Sequence, residues 1–207
     1  LLQLARAAGV KLHITRLSSA AGLAMIEEAK HAGVAVTCDI SINHLHLCDI
    51  DIGYFNSHCH LVPPLRTQSD REALARALAD GRIDALCSDH TPVDDDAKQQ
   101  PFSEAEPGAT GLELLMPLAV KWAQDRNLPL SRAISRVTVD AARIMGIAAG
   151  TLSVGASADV CLFSTGGMHK VTRESLKSQG KNTPFLGLML EARVEKTLID
   201  GQVVWGG

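Results

Sequence analysis

The 207 residues are 46% hydrophobic and 21% charged, with a formal net charge of -3 and a pI near 6.2. That is enough apolar material for a core, in one domain or in a larger domain plus a small one, and the mildly acidic balance excludes nucleic acid and anionic membrane as expected partners. Small molecules and other proteins remain. Five cysteines (Cys38, Cys48, Cys59, Cys87, Cys161) form no Cys-x-x-Cys pair, and Cys38 and Cys87 lie in apolar runs where a thiol acts as a small hydrophobe, which suits a reducing cytoplasm. No apolar stretch reaches the length of a membrane span, and LLQLARAAG lacks the layout of a signal peptide, so a cytoplasmic protein is expected.

Leu2, Leu4, Ala5 and Ala8 continue a helical apolar face with no cap before it, and Gly9 ends it, which predicts a chain beginning in mid-domain. Residues 11 to 18 read as a strand, 20 to 32 as an amphipathic helix stopped by Gly33, and 34 to 42 as a second strand. After a loop holding Pro63 and Pro64, Ser69 with Glu72 three residues on predicts a capping box for a helix over 70 to 80, closed by Gly81. A strand over 83 to 89 follows, then a polar loop over 90 to 111, a helix over 112 to 125, and shorter helices near 130 to 136 and 139 to 146. Past Gly150 short strands with turn residues predict a small β appendage, with Asp200-Gly201 as a hairpin turn.

Buried-type strands alternating with helices predict an α/β fold with a parallel sheet, because parallel strands need crossover helices and are covered on both faces. No glycine-rich nucleotide loop follows any strand. Arg16, Asn43, Asp89 and His90 cluster at strand ends, which favours a barrel over an open sheet.

The densest chemistry lies in 43 to 60, where His44, His46, His58, His60 and Cys59 fall within 18 residues. Two His-x-His pairs could supply a tetrahedral zinc site. Nothing in the spacing fixes that geometry and no general base accompanies it, so ordinary polar loop histidines are the favoured reading. The second feature is Ser88-Asp89-His90-Thr91-Pro92 at a strand exit, where Asp89 is equally a metal ligand or general base and a turn-capping residue.

Five segments in order, LHITRLSS, VTCDISINHLHL, VPPLRTQSDREAL, CSDHTPV and PGATGLELLMPL, together with the tail GTLSVGASADVCLFS, KNTPFLG and TLIDGQVVW, resemble the C-terminal half of type I dihydroorotases and related cyclic amidohydrolases. The resemblance implies the C-terminal part of a (β/α)8 amidohydrolase barrel over 1–147 and, over 148–207, the C-terminal β segment of a small composite domain, a β-sandwich appendage. It also implies pyrimidine biosynthesis, in which such enzymes open and close the cyclic amide of dihydroorotate with zinc. Their metal is held by a His-x-His on the first strand, a carboxylate or carboxylated lysine, histidines on the fifth and sixth strands and an aspartate on the eighth. Neither 44-HLH-46 nor 58-HCH-60 falls where the family's His-x-His does.

Position by position, the resemblance puts Arg16 and Asn43 where relatives carry zinc-binding histidines, and His44 one residue along from the second of these, a displaced candidate expected to point to the opposite side. Arginine offers a metal no lone pair, and a neutral amide oxygen is a poor zinc ligand. Val62 and Val93 stand where relatives carry an asparagine and a histidine that face substrate. Asp89, the proton shuttle of the family, is kept, and Arg16 is expected to pair with it. The expectation is a non-catalytic homologue with no cofactor, part of an oligomer that supports the assembly of aspartate carbamoyltransferase. The alternative is an active zinc dihydroorotase or a related cyclic amidohydrolase.

Overall fold

The computed structural model describes residues 1–206. The chain divides into two compact units, residues 1–111 with 180–184, and residues 112–179 with 185–207.

The first unit is built on a parallel sheet of three strands, β1 (Leu12–Ile14), β2 (Val36–Ser41) and β3 (Ala85–Cys87), with β2 in the middle. Leu12 pairs with Val36 and Asp39 with Ala85. The central strand explains the apolar run of the sequence: Cys38 and Ile40 are fully buried, as expected of a parallel strand covered on both faces. The crossovers are α2 (Ala20–His31) and α4 (Gln68–Asp80), which pack on each other. Leu74 and Leu78 of α4 are fully buried, and each contributes about 1.5–3 kcal/mol through the apolar surface it removes from water. A first helix, α1 (Leu2–Ala8), ends at Gly9 in the left-handed conformation that a helix C-terminus favours.

Three local features differ from the sequence expectation. The second strand stops at Ser41, whose hydroxyl accepts from the His44 backbone N–H and starts a short helix, α3 (Ile42–His46). The cap of α4 is Thr67, which accepts from the Asp70 N–H, so Ser69 and Glu72 form no capping box; Glu72 instead pairs with Arg71. The loop after β3 carries one helical turn, α5 (Asp95–Lys98), and a bridge between His90 and Ala109.

The second unit holds α6 (Leu115–Asp125), α7 (Leu130–Val137) and α8 (Val139–Met145), with Trp122 of α6 buried. Its antiparallel sheet has the order β4 (Val160–Ser164), β7 (Arg193–Ile199), β8 (Gln202–Gly206), and β5 (His169–Lys170) pairs with β6 (Met189–Leu190). Asp200 and Gly201 both take positive φ between β7 and β8, the backbone that a two-residue hairpin turn of this hand requires.

Candidate functional site

The carboxyl end of the parallel sheet is organised around Asp39, a nearly buried carboxylate inside the apolar strand β2. Its Oδ1 accepts from the Arg16 backbone N–H at 2.7 Å, the Thr15 hydroxyl at 3.3 Å and the Cys87 thiol at 3.2 Å. The Nε2 of His13 sits 2.9 Å from Oδ2, and its Nδ1 2.8 Å from the Thr37 hydroxyl. Asp39 therefore ties the chain leaving β1 and the end of β3 to the middle strand. Burial and the neighbouring Asp39 carboxylate both push the Cys87 thiol up, so it stays protonated and donates.

With its N–H held this way, Arg16 adopts φ 57°, and Asp89 beyond β3 adopts φ 49°. Left-handed backbone at a residue with a Cβ costs about 1–2 kcal/mol. These two strained residues face each other across the end of β2. Arg16 Nη1 donates to Asp89 Oδ1 at 3.3 Å and to the Val62 carbonyl at 2.9 Å. Asn43, on the first turn of α3, donates through Nδ2 to Asp89 Oδ2 at 3.4 Å. Burial raises the Asp89 carboxyl above its ordinary range, against the pull of Arg16 and then of Asn43.

His44 is buried with both ring nitrogens engaged. Nδ1 lies 2.9 Å from the Ser41 hydroxyl and Nε2 3.1 Å from the Pro64 carbonyl. The Pro64 carbonyl can only accept, so Nε2–H donates to it, and in the neutral ring Nδ1 takes the proton of the Ser41 hydroxyl, which itself accepts the His44 backbone N–H. Burial pushes the imidazole pKa down, which matches a neutral ring.

The remaining sequence candidates lie apart from this constellation. Val62 is exposed and contributes only its carbonyl. Val93 is buried, and its backbone N–H donates to Asn182 Oδ1. His60 Nδ1 lies 2.7 Å from the Ala105 carbonyl, with its ring against Phe102. Among the described residues, no three His, Cys, Asp or Glu side chains converge as metal ligands.

The donor set here does not fit zinc. Arg16 brings a cation to the carboxylate that would bind the metal, Asn43 presents its N–H₂ to that same carboxylate, and both His44 nitrogens are committed. The geometry makes a closed ion pair with hydrogen-bonded flanks. It offers no nucleophile beside a free base.

Two participants are not singled out by the sequence reading. Asp39 is hidden because one carboxylate in a strand carries no periodic signal. Asn182 is a fully buried clamp whose Oδ1 accepts from the Val93 N–H and the Thr110 hydroxyl while Nδ2 donates to the Thr91 and Gly108 carbonyls. Its only sequence signal is its place in KNTPFLG, one of the tail segments that carry the resemblance.

Comparison with known proteins gives the family. The model of the amidohydrolase family matches residues 2–204. The chain is 41% identical over 206 residues to a dihydroorotase-like protein of Pseudomonas aeruginosa, covering 100% of this chain and 48% of that protein. It is 36% identical over 202 residues to a dihydroorotase of Geobacter, covering 98% of this chain and 48% of that protein. Among solved structures it is similar to an L-hydantoinase (dihydropyrimidinase) from Arthrobacter aurescens, with a TM-score of 0.92 and 27% identity over 99% of this chain and 47% of that one. The chain thus spans about half the length of the curated relatives it matches. It belongs to the amidohydrolase family, and the curated proteins it is similar to within that family include dihydroorotases and dihydroorotase-like proteins.

Proposed function

We propose that the chain is the C-terminal part of a non-catalytic dihydroorotase homologue, kept for assembly with aspartate carbamoyltransferase in pyrimidine biosynthesis. In this reading β1, β2 and β3 are three strands of a (β/α)8 barrel, and the antiparallel strands after residue 159 belong to its small β-sandwich domain. One observation carries it: the Arg16 guanidinium reaches Asp89 at 3.3 Å, so a fixed cation stands beside the carboxylate that would otherwise hold a metal and move protons. A zinc-bound water near neutral pKa needs ligands with free lone pairs. Arg16 supplies none and Asn43 only those of a neutral amide oxygen, a poor zinc ligand, and both side chains are held by the same carboxylate. Val62 and Val93 add no side-chain hydrogen bond for the carboxylate or amides of dihydroorotate, and leaving such polar groups unpaired on binding weakens a ligand steeply.

The full-length protein, purified without chelator, is expected to hold less than about a tenth of an equivalent of zinc and to show no turnover of dihydroorotate in either direction. It is expected to co-elute with aspartate carbamoyltransferase on a sizing column at micromolar concentration. Stoichiometric zinc with turnover would overturn the non-catalytic reading in favour of an active zinc dihydroorotase. Clean separation of the two proteins would overturn the assembly role.

A further inference from the structure

The loops after β2 and β3 form one knitted lobe. Lys98 is buried and donates through Nζ to the carbonyls of Ser57 at 3.0 Å and His60 at 3.4 Å, while the Ser57 hydroxyl donates to the Lys98 carbonyl. The Gly108 N–H donates to the His60 carbonyl. Beneath these bonds lies a small core of Cys59, Leu61, Leu65 and Ala109, with Leu47 and Ile52 packed against it. A lobe bonded in this way holds a fixed outer surface.

That outer surface is apolar and aromatic. Ile50 is 72% exposed, Phe55 68% and Tyr54 98%. Tyr54 and Phe55 meet edge to face with ring centroids 6.0 Å apart, and Phe55 meets Phe102 at 6.1 Å, so the rings form a continuous row across both loops. The chain has only seven Phe, Trp and Tyr residues, and three of them, including its single tyrosine, stand here. Phe55 is held at φ 53°, a left-handed backbone uncommon for a bulky residue, and strain of this kind gathers where a surface serves a purpose.

The rim is acidic. Residues 48–60 and 94–106 carry seven exposed carboxylates, Asp49, Asp51, the run Asp94–Asp96, Glu104 and Glu106, against a single Lys or Arg, the buried Lys98, and two histidines, His58 and His60. The lobe therefore has a surface charge more negative than the net -3 of the whole chain.

We propose that this lobe is a docking surface for a protein partner that presents an apolar pocket ringed by Lys and Arg. An exposed, ordered aromatic row is the kind of patch that anchors an interface, since tyrosine brings a large contact area at small entropic cost and fits a desolvated pocket. The carboxylate rim sets the partner's sign. A second copy meeting this patch face to face would oppose acid with acid, as would a nucleic acid or an anionic membrane, whereas a basic rim is steered in and held in register.

The test uses the full-length protein in its native cell with Tyr54→p-benzoylphenylalanine as the photo-crosslinking probe. The expected result is one adduct with a different protein, its crosslinked peptide flanked by Lys or Arg. The triple variant Asp94→Lys, Asp95→Lys, Asp96→Lys is expected to lower the adduct yield at least about tenfold with an unchanged unfolding midpoint. With that partner purified, Tyr54→Ala with Phe55→Ala is expected to raise Kd by about 30-fold or more, and added salt to weaken binding. An adduct within the protein's own chain, an adduct with a second copy, no adduct, or a Kd unmoved by the aromatic pair would each overturn the proposal. The outcome separates from that of the assembly reading. A transferase that co-elutes equally with wild type and with the aromatic double variant keeps the assembly role and removes this surface, while an adduct with some other basic protein keeps the surface.

Discussion

Arg16 and Asp89 are coupled by a bond that the first half of the chain alone accounts for, and its strength follows from its surroundings. The guanidinium is 40% exposed and the carboxylate 7%, so solvent screens the cation's side and the pair falls between a surface bridge and a buried one. A double-mutant cycle with Arg16→Met and Asp89→Asn, read from urea midpoints, is expected to give a coupling of about 1 kcal/mol. A coupling below about 0.3 kcal/mol would show that the two side chains merely lie near each other. His44 gives a prediction in pH. Burial lowers its pKa from the ordinary 6.5, so the folded protein binds fewer protons there than the unfolded chain does, and stability rises with pH. The contribution is whole above the unfolded value and is lost as the pH falls from there toward the lowered folded value. Wild type is therefore expected to lose more stability between pH 7.5 and 5 than His44→Gln, which keeps a donor toward the Pro64 carbonyl and does not titrate. Equal slopes for the two proteins would place a charged or solvated imidazole at this position.

Among the elements, the helices and strands that obey a clear period are the ones legible in the sequence. Gly9, Gly33 and Gly81 end helices where the sequence puts the ends, and each takes positive φ. The parallel order of β1, β2 and β3 matches the alternation of buried-type strands with helices. What escapes is decided by single side chains. Ser41 turns the end of a predicted strand into α3 because its hydroxyl caps the next N–H groups, and INHLH has no period that announces this. The same step moves Asn43 and His44 from an alternating strand exit to adjacent positions on a helical turn, where both are buried. The Arg16, Asn43 and Asp89 positions are legible through the family resemblance, but their mutual distances are not, and Asp39 looks like any polar residue in an apolar run. The α4 cap is the sharpest local case, since the sequence reading places it at Ser69 and the structure at Thr67. Thr67 Oγ1 accepts from the Asp70 N–H and donates to Asp70 Oδ2 at 2.7 Å, whereas Ser69 Oγ only meets Thr67 Oγ1. Thr67→Ala is expected to cost about 1 kcal/mol and Ser69→Ala less than about half of that, by thermal or urea midpoint. The reverse order would return the cap to Ser69.

At the scale of the molecule, the chain comes back on itself once in a way that no local signal foretells. Residues 180–184 rejoin the first unit some 70 residues after it closes, and Asn182 is the residue that makes the return matter. Its amide takes the Val93 N–H and gives to the carbonyls of Thr91 and Gly108, so one side chain fixes both ends of the long loop after β3. The loop leaves it little slack. A Cβ at Gly108 would meet Thr91 at 2.6 Å, and one at Gly111 would meet the Ser88 carbonyl at 2.5 Å. Because Asp89 and α5 hang on this loop, Asn182 positions both the ion pair and half of the aromatic lobe without touching either charge. Asn182→Ala removes the amide that meets the Val93 N–H and the Thr91 and Gly108 carbonyls, while the Thr110 hydroxyl keeps the Gly180 carbonyl at 2.8 Å, a loss of about 1–3 kcal/mol for each group left unpaired and not rescued by water. The loss is expected to be local. Amide hydrogen exchange of the full-length variant should rise across 91–110, first at the Val93 amide, while Cys38 and Ile40 in β2 keep wild-type protection. Acceleration of both regions together would mean that the clamp belongs to the global folding unit, and unchanged exchange in 91–110 would mean that the loop is held by its own bridge between His90 and Ala109.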